Sequence, residues 1–187
     1  MSASISIIIP TRNAAEQIKR CIDSIVAQTF SDFEIIVVDY KSEDTTKQIV
    51  SRFENQKINW IDSEKPGIYA AMNLGIRNAK GEFCLFLGAD DLLFDSSSLD
   101  SILQSNPDCN LILGNVENFN LNSNKIKAFY KNKFSKSLYW RNTIHHQGVL
   151  YKREVLRNNL FNETYNILAD YDLNLRLLKA KSTFCYF

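Results

Sequence analysis

An apolar run that stops at two adjacent carboxylates, Phe83-Cys84-Leu85-Phe86-Leu87-Gly88-Ala89-Asp90-Asp91, constrains this chain more than any other stretch. Phe83 to Gly88 are all apolar or small, without the alternation of a half-solvated strand, so the run suits a strand covered on both faces. Such strands belong to parallel sheets sandwiched between helices, where ligands bind in the crevice outside the carboxyl ends of the strands. Asp90 and Asp91 are expected on that rim. Neighbouring carboxylates repel one another, and a bound divalent cation relieves the repulsion. A solvated loop in which Asp91 caps the following helix is the alternative.

The preceding sequence supplies the partners such a strand needs. Ser4 to Ile9 is rich in β-branched residues and closes at Pro10-Thr11, because proline cannot donate to a sheet ladder. Ile18, Cys21, Ile22, Ile25 and Val26 recur at helical spacing, with Asn13 as the expected cap. Phe33 to Val38 is a second apolar strand, and it too ends on an acid, Asp39. Ser42 is the expected cap of a helix carrying Ile49, Val50 and Phe53, and Ile58 to Ile61 reads as a third strand. After Pro66-Gly67, a helical face of Ile68, Ala71, Met72, Ile76 and Ala79 is interrupted by Gly75, which implies close packing or ligand approach there. A helix over residues 97–104 and a strand over residues 109–113 follow. This alternation predicts one α/β domain over residues 1–187, a doubly wound and mainly parallel sheet with helices on both faces. Pro10, Asp39 and Asp90 then share one rim.

Composition narrows the function. A formal net charge of +1 over 187 residues gives no field suited to nucleic acid. The N-terminus lacks a basic region followed by an apolar run, and no window approaches the roughly eighteen apolar residues of a membrane span, so a cytoplasmic location is expected. Cys21, Cys84, Cys109 and Cys185 are far apart with no Cys-X-X-Cys pair, so buried free thiols are expected rather than zinc ligands or disulfides. The sequon Asn162-Glu163-Thr164 has no secretion signal to give it meaning.

From Asn115 the pattern becomes polar and aromatic. Residues 125–141 carry Lys125, Lys127, Lys131, Lys133, Lys136 and Arg141 with no acid, interleaved with Phe129, Tyr130, Phe134, Tyr139 and Trp140. This is either a solvated hairpin or a surface that meets anionic lipid or phosphate. Tyr171, Leu173, Leu175, Leu177 and Leu178 predict a largely buried helix, with Asp170 and Asp172 at its start, where negative charge suits the helix dipole. The chain ends at Phe184-Cys185-Tyr186-Phe187, inside what reads as a strand, as a fragment would.

No Gly-X-Gly-X-X-Gly follows the first strand, and there is no Walker A loop or Gly-X-Ser-X-Gly elbow. His145 and His146 are adjacent, a spacing poorly suited to chelating one metal. Taken together, Pro10-Thr11-Arg12-Asn13, Val37-Val38-Asp39, Ser42-Glu43-Asp44, Gly67-Ile68-Tyr69-Ala70-Ala71-Met72-Asn73-Leu74-Gly75, Gly88-Ala89-Asp90-Asp91, His146-Gln147 and Ala169-Asp170-Tyr171-Asp172-Leu173 resemble the family 2 glycosyltransferases, inverting enzymes of the GT-A fold. The resemblance spans Ser4 to about Ala180. It implies that Pro10, Thr11, Asn13, Asp39 and Asp90 hold a nucleotide sugar, usually a UDP-sugar. It further implies that Asp90 and Asp91 bind Mn2+ or Mg2+, that Asp170 is the general base, and that Tyr69, Asn73 and His146 meet substrate. The acceptor is expected to be a saccharide or lipid-linked, in cell-surface polysaccharide synthesis, with peripheral contact at the inner face of the membrane through residues 125–141.

The chain departs from the family pattern at two places. The motif is often Asp-X-Asp, but its first position here is Gly88, which puts metal affinity in question. The loop after Asp39 is usually small and glycine-rich, whereas this chain has Tyr40-Lys41. A non-catalytic nucleotide-sugar-binding protein and a nucleotidyltransferase are the alternative readings.

Overall fold

A computed structural model of the chain describes residues 5–53, 57–105, 108–120 and 125–187. Four strands, β1 (Ile5–Thr11), β2 (Phe33–Asp39), β3 (Ile58–Asp62) and β4 (Phe83–Phe86), pair in parallel around β1. The helices between them are α1 (Ile18–Val26), α2 (Thr46–Val50) and α3 (Ile68–Asn78). The chain continues through α4 (Ser98–Ser105), β5 (Leu111–Leu113), β6 (Asn115–Asn120), β7 (Lys125–Lys131), β8 (Val149–Lys152), α5 (Arg153–Asn158), α6 (Ala169–Lys179) and β9 (Phe184–Tyr186). Seven strands form one sheet in the order β3-β2-β1-β4-β8-β5-β9, while β6 and β7 form a separate hairpin.

Strand periodicity explains the two cores. Ile7 and Ile9 of β1 face one way, with Ile35, Val37, Phe83 and Leu85, and pack under α1 and α4; Ile8, Ile36, Val38, Cys84 and Phe86 face α3, α5 and α6. Both faces of the sheet are therefore dry, as expected of the apolar run at Phe83. Gly75 is where α3 presses on the sheet: a Cβ there would lie 2.4 Å from Ile8 Cγ2. Close packing, rather than ligand approach, accounts for that glycine. Pro10 falls where β1 has outrun β4, whose pairing ends at Ile8↔Phe86, so its missing N–H breaks no ladder on that side.

Several local expectations give way to tertiary contacts. The sheet is mainly parallel, but β8 runs antiparallel between β4 and β5, a strand that residues 149–152 do not announce. Asn13 does not cap α1, whose N-cap is Gln17 without a side-chain bond, and Ser42 does not cap α2, which follows Thr45. Asp91 does not cap α4 either; its Oδ2 accepts the Gly88 N–H, while Asp95, just ahead of the helix, accepts the Ser97 N–H at 2.9 Å and the Ser98 hydroxyl at 2.9 Å on Oδ1.

The cysteines divide into two kinds. Cys21 and Cys84 are buried free thiols, whereas Cys109 and Cys185 form a disulfide, contrary to the expectation of four free thiols. Parallel pairing of β9 with β5, Ile112 opposite Cys185, brings the two together with Cα atoms 6.1 Å apart across 76 residues of sequence. Among the described residues, no helix is long and apolar enough to cross a membrane.

Candidate active site

The acid pair stands at the end of β4, in a turn that closes on itself. The Gly88 N–H donates to Asp91 Oδ2 at 2.7 Å, and the Asp91 N–H donates back to the Gly88 carbonyl at 3.0 Å. Cys21 of α1 packs below, its thiol 3.5 Å from the same carbonyl. Burial pushes the Cys21 thiol up to about 12, and the charges of Asp91 and Asp90 add to the rise, so it stays protonated and unreactive. Asp90 is exposed. Burial raises the Asp91 carboxyl above its usual value and the Asp90 charge adds to this, with the Gly88 N–H, His146 and Gln147 offsetting it only in part.

A Cβ at residue 88 would lie 2.7 Å from Asp90 Oδ1 and 3.1 Å from Asp91 Oδ2, the outer ends of two side chains that can turn aside, so packing alone does not account for glycine where the family motif often has Asp. Among the described residues no group of three His, Cys, Asp or Glu gathers as a metal site. The donor set nevertheless fits Mg2+ or Mn2+, which bind through one or two carboxylates and complete their shell with substrate phosphates and water. Asp90 and Asp91 are the residues that would hold the ion.

The second strand end, at Asp39, is built from interlocked loops. Thr11 and Asp39 are register partners at the tips of β1 and β2, and the Tyr40 N–H donates to the Thr11 carbonyl at 3.0 Å. The Thr11 hydroxyl turns back to the Ile9 carbonyl at 3.0 Å. Asp39, 3% exposed, accepts the Ser42 N–H at 2.9 Å and the Ser42 hydroxyl at 2.5 Å, one on each oxygen. Each oxygen keeps further acceptor capacity. Asn13, at φ 48°, donates its N–H to Ser42 Oγ at 2.7 Å, and its Oδ1 accepts the Glu43 N–H at 2.9 Å. Asp44 Oδ2 and Thr46 Oγ1 then accept the Ala15 and Ala14 N–H groups at 3.0 and 2.9 Å ahead of α1. Ser42 and Asn13 thus sew two rim loops together instead of capping helices. Tyr40 lies under two cations: Arg12 Cζ is 5.3 Å and Lys41 Nζ 5.7 Å from its ring centroid.

Asp170 enters from α6, just past Leu168, which sits at φ 73°. The Tyr69 hydroxyl, from the first turn of α3, donates to Asp170 Oδ1 at 3.3 Å, and His146 Nδ1 lies 3.3 Å from Asp170 Oδ2. Burial alone would raise this carboxyl, but the His146 contact and charge, the Tyr171 N–H and the Tyr69 hydroxyl outweigh it and hold Asp170 below its usual value. The group is therefore ionised at neutral pH and fixed at both oxygens. His146 interacts electrostatically with Asp91 as well as Asp170, so it links the β4 turn to the α6 carboxylate. Asp172, one helical turn before Arg176, pairs with it at 2.9 Å.

Asn73, expected to meet substrate, bonds a neighbouring segment of the chain. Buried to 1% exposure, its Nδ2 donates to the Phe161 carbonyl at 2.9 Å and Glu163 Oε1 at 3.0 Å, while its Oδ1 accepts the Phe161 N–H at 2.9 Å. It ties α3 to the segment leading into Asp170. Asn132 was not singled out by its sequence context. Its Oδ1 accepts the His145 N–H at 2.7 Å and its Nδ2 donates to the His145 and Gly148 carbonyls at 3.1 and 3.3 Å. This clamps the 3-10 turn His146–Gly148 that presents His146, and only glycine fits at residue 148, where a Cβ would lie 2.7 Å from Asn132 Nδ2. An asparagine within an asparagine-rich stretch carries no sequence signal of such a role.

Residues 6–160 match the model of the family described as Glycosyl transferase family 2. The chain belongs to that family. A PGL/p-HBAD biosynthesis glycosyltransferase of Mycobacterium tuberculosis is 35% identical over 179 residues, covering 91% of this chain and 68% of that protein. An uncharacterized glycosyltransferase of Rickettsia typhi is 31% identical over 195 residues, covering 98% of this chain and 61% of its own length. Among solved structures, residues 1–349 of S. aureus TarS in complex with UDP superpose with a TM-score of 0.79 at 21% identity, over 98% of this chain and 57% of that one. The mannosyltransferase PcManGT of Pyrobaculum calidifontis, in complex with GDP-Man and Mn2+, gives a TM-score of 0.72 at 20% identity, over 100% of this chain and 57% of that one. These likenesses establish the GT-A fold, and the chain spans little more than half the length of those two structures. In a family 2 glycosyltransferase domain, the rim carrying Asp39, Asp90, Asp91 and Asp170 is the candidate active site.

Proposed function

We propose that this domain transfers a sugar from a nucleotide-diphosphate sugar, a UDP-sugar, to an acceptor hydroxyl with inversion at the anomeric carbon. The observation that carries the reading is the Asp170 carboxylate, ionised and held between Tyr69 and His146 on the same rim as the acid turn. Asp170 takes the proton of the acceptor hydroxyl as that oxygen attacks the anomeric carbon from the face opposite the departing diphosphate. Tyr69 and His146 hold the carboxylate in place for the attack, which is where a fixed geometry lowers the barrier.

On the donor side, Asp39 accepts the N–H that the amide edge of uracil offers, with Pro10, Thr11 and Asn13 shaping the base and ribose site. Asp90 and Asp91 would hold Mn2+ or Mg2+, whose charge would neutralise that developing on the diphosphate leaving group. The acceptor is a saccharide or lipid-linked molecule in cell-surface polysaccharide synthesis. The domain works in the cytoplasm and at the inner face of the membrane, with residues 125–141 in peripheral contact.

Product analysis tests this. A panel of nucleotide sugars incubated with the protein, Mn2+ and saccharide and lipid-linked acceptors should release nucleoside diphosphate, with UDP-sugars turned over in preference to GDP- or ADP-sugars. Pyrophosphate release from a nucleoside triphosphate and a sugar 1-phosphate would make it a nucleotidyltransferase, and tight nucleotide-sugar binding without release in either assay would make it a binding module.

A further inference from the structure

The β6–β7 hairpin stands outside the seven-stranded sheet, and its two faces differ. On the inward face Tyr130, opposite Val116, lays its ring 4.2 Å from that of His145, the neighbour of His146. The outward face carries Phe129 opposite Glu117 and, past a register shift between Asn118 and Phe119, Ile126 opposite Phe119. Its three large apolar side chains are well exposed: Phe119 45%, Ile126 56% and Phe129 57%. Glu117, half-buried, is the one carboxylate on the described hairpin.

Charge accompanies this apolar face. Lys127, Lys131, Lys133, Lys136 and Arg141 are all exposed, none pairs with a carboxylate among the described residues, and no acid interrupts residues 125–141. In a chain of net charge +1 this is a local asymmetry, not a global one. Trp140, 89% exposed, follows a 3-10 turn over Lys136–Tyr139, whose own Tyr139 is exposed as well. Water-exposed tryptophan and tyrosine beside lysine and arginine are what the headgroup layer of a bilayer accommodates, the rings at its apolar boundary and the cations among its phosphates.

We infer that the outward face of the β6–β7 hairpin, together with Trp140 and the cations of residues 127–141, docks the domain on an anionic lipid bilayer. The partner is the bilayer surface, on the grounds of charge complementarity and an apolar face left uncovered by the described residues. The inference deepens the proposed reading of a lipid-linked acceptor and rests on it for its purpose: the inward face abuts His145, so a docked hairpin brings the membrane close to the His146–Asp170 pair.

Trp140 provides the reporter. Trp60→Phe leaves it as the remaining tryptophan of a chain that has 2. This protein should sediment with phosphatidylcholine vesicles containing about one-third phosphatidylglycerol and not with pure phosphatidylcholine, salt should weaken the binding, and Trp140 emission should move to the blue. Lys131→Ala/Lys133→Ala/Lys136→Ala in the same background should lower partitioning on the order of 100-fold, about fivefold per cation, with an unchanged melting temperature. Equal binding to both vesicles, unshifted emission, or a triple variant that binds like its parent would overturn the docking surface. So would free inorganic phosphate that shifts Trp140 and displaces the protein, because that marks an isolated phosphate site. Calorimetric titration with UDP judges the proposed transfer separately: absent UDP binding counts against that reading, while the vesicle results alone decide docking.

Discussion

His146 Nδ1 and Asp170 Oδ2 are 3.3 Å apart, although one residue sits in a 3-10 turn before β8 and the other in the first turn of α6. The contact and charge of His146 are, after burial, the largest influences on Asp170, and they act downward. Removing His146 leaves the burial in place, so the Asp170 carboxyl rises. A base must be ionised to accept a proton, and the acid limb of the rate profile therefore moves to higher pH. For His146→Ala we expect the acid limb to move upward relative to wild type, because a partner that lowers the carboxyl is gone and its burial is not. The pH dependence of nucleoside diphosphate release checks this, and an unmoved limb would detach His146 from Asp170.

Asn73→Ala distinguishes a structural tie from a substrate contact. The change leaves the Phe161 N–H and carbonyl without their partner, at a cost of about 2 to 4 kcal/mol for two buried backbone groups. Melting should reveal that loss while donor affinity stays at the wild-type value. Weaker donor binding at unchanged stability would return Asn73 to the substrate site.

For Asn132→Ala the expected result is a double one. Stability falls by about 2 to 3 kcal/mol through the unpaired His145 N–H, and turnover falls because the turn presenting His146 is no longer clamped. UDP affinity, set at the other strand ends, should hold. Thermal melts and turnover measured on the same preparation separate the two effects.

Asp90→Ala addresses the ion. Asp90 is exposed beside a carboxylate whose pKa burial has already raised, so it is the stronger candidate ligand of the two. The variant should lose the Mn2+ dependence of UDP binding measured by calorimetry. If Mn2+ strengthens binding to the variant as much as to wild type, the ion is held elsewhere.

The parts of this molecule legible in the sequence were those fixed by local pattern. The unbroken run from Phe83 announced a strand dry on both faces, and strand-end acids marked the rim, because periodicity and burial are written residue by residue. What escaped depends on neighbours distant in sequence. Asn13 and Ser42 have the composition of helix caps, yet each bonds a residue of the other's loop, about thirty positions away, and no local rule weighs that competition. The same holds for β8, a four-residue strand inserted antiparallel between β4 and β5, and for Cys109 and Cys185, which meet only because β9 lies beside β5. Asn73 stands out by its motif, but its bonds to the Phe161 backbone are not legible there, since buried hydrogen bonding to a remote backbone cannot be told from ligand binding by residue type.

The central claim is that Asp170 is the general base. Asp170→Asn keeps the size of the side chain and an oxygen to accept the Tyr69 hydroxyl, and α6 takes its N-cap from Leu168, so melting temperature and UDP affinity should stay close to wild type. Turnover of the nucleotide sugar should fall on the order of 100- to 10,000-fold, the usual contribution of general-base catalysis. An Asn variant that folds, binds UDP and releases nucleoside diphosphate at a near wild-type rate would contradict the account.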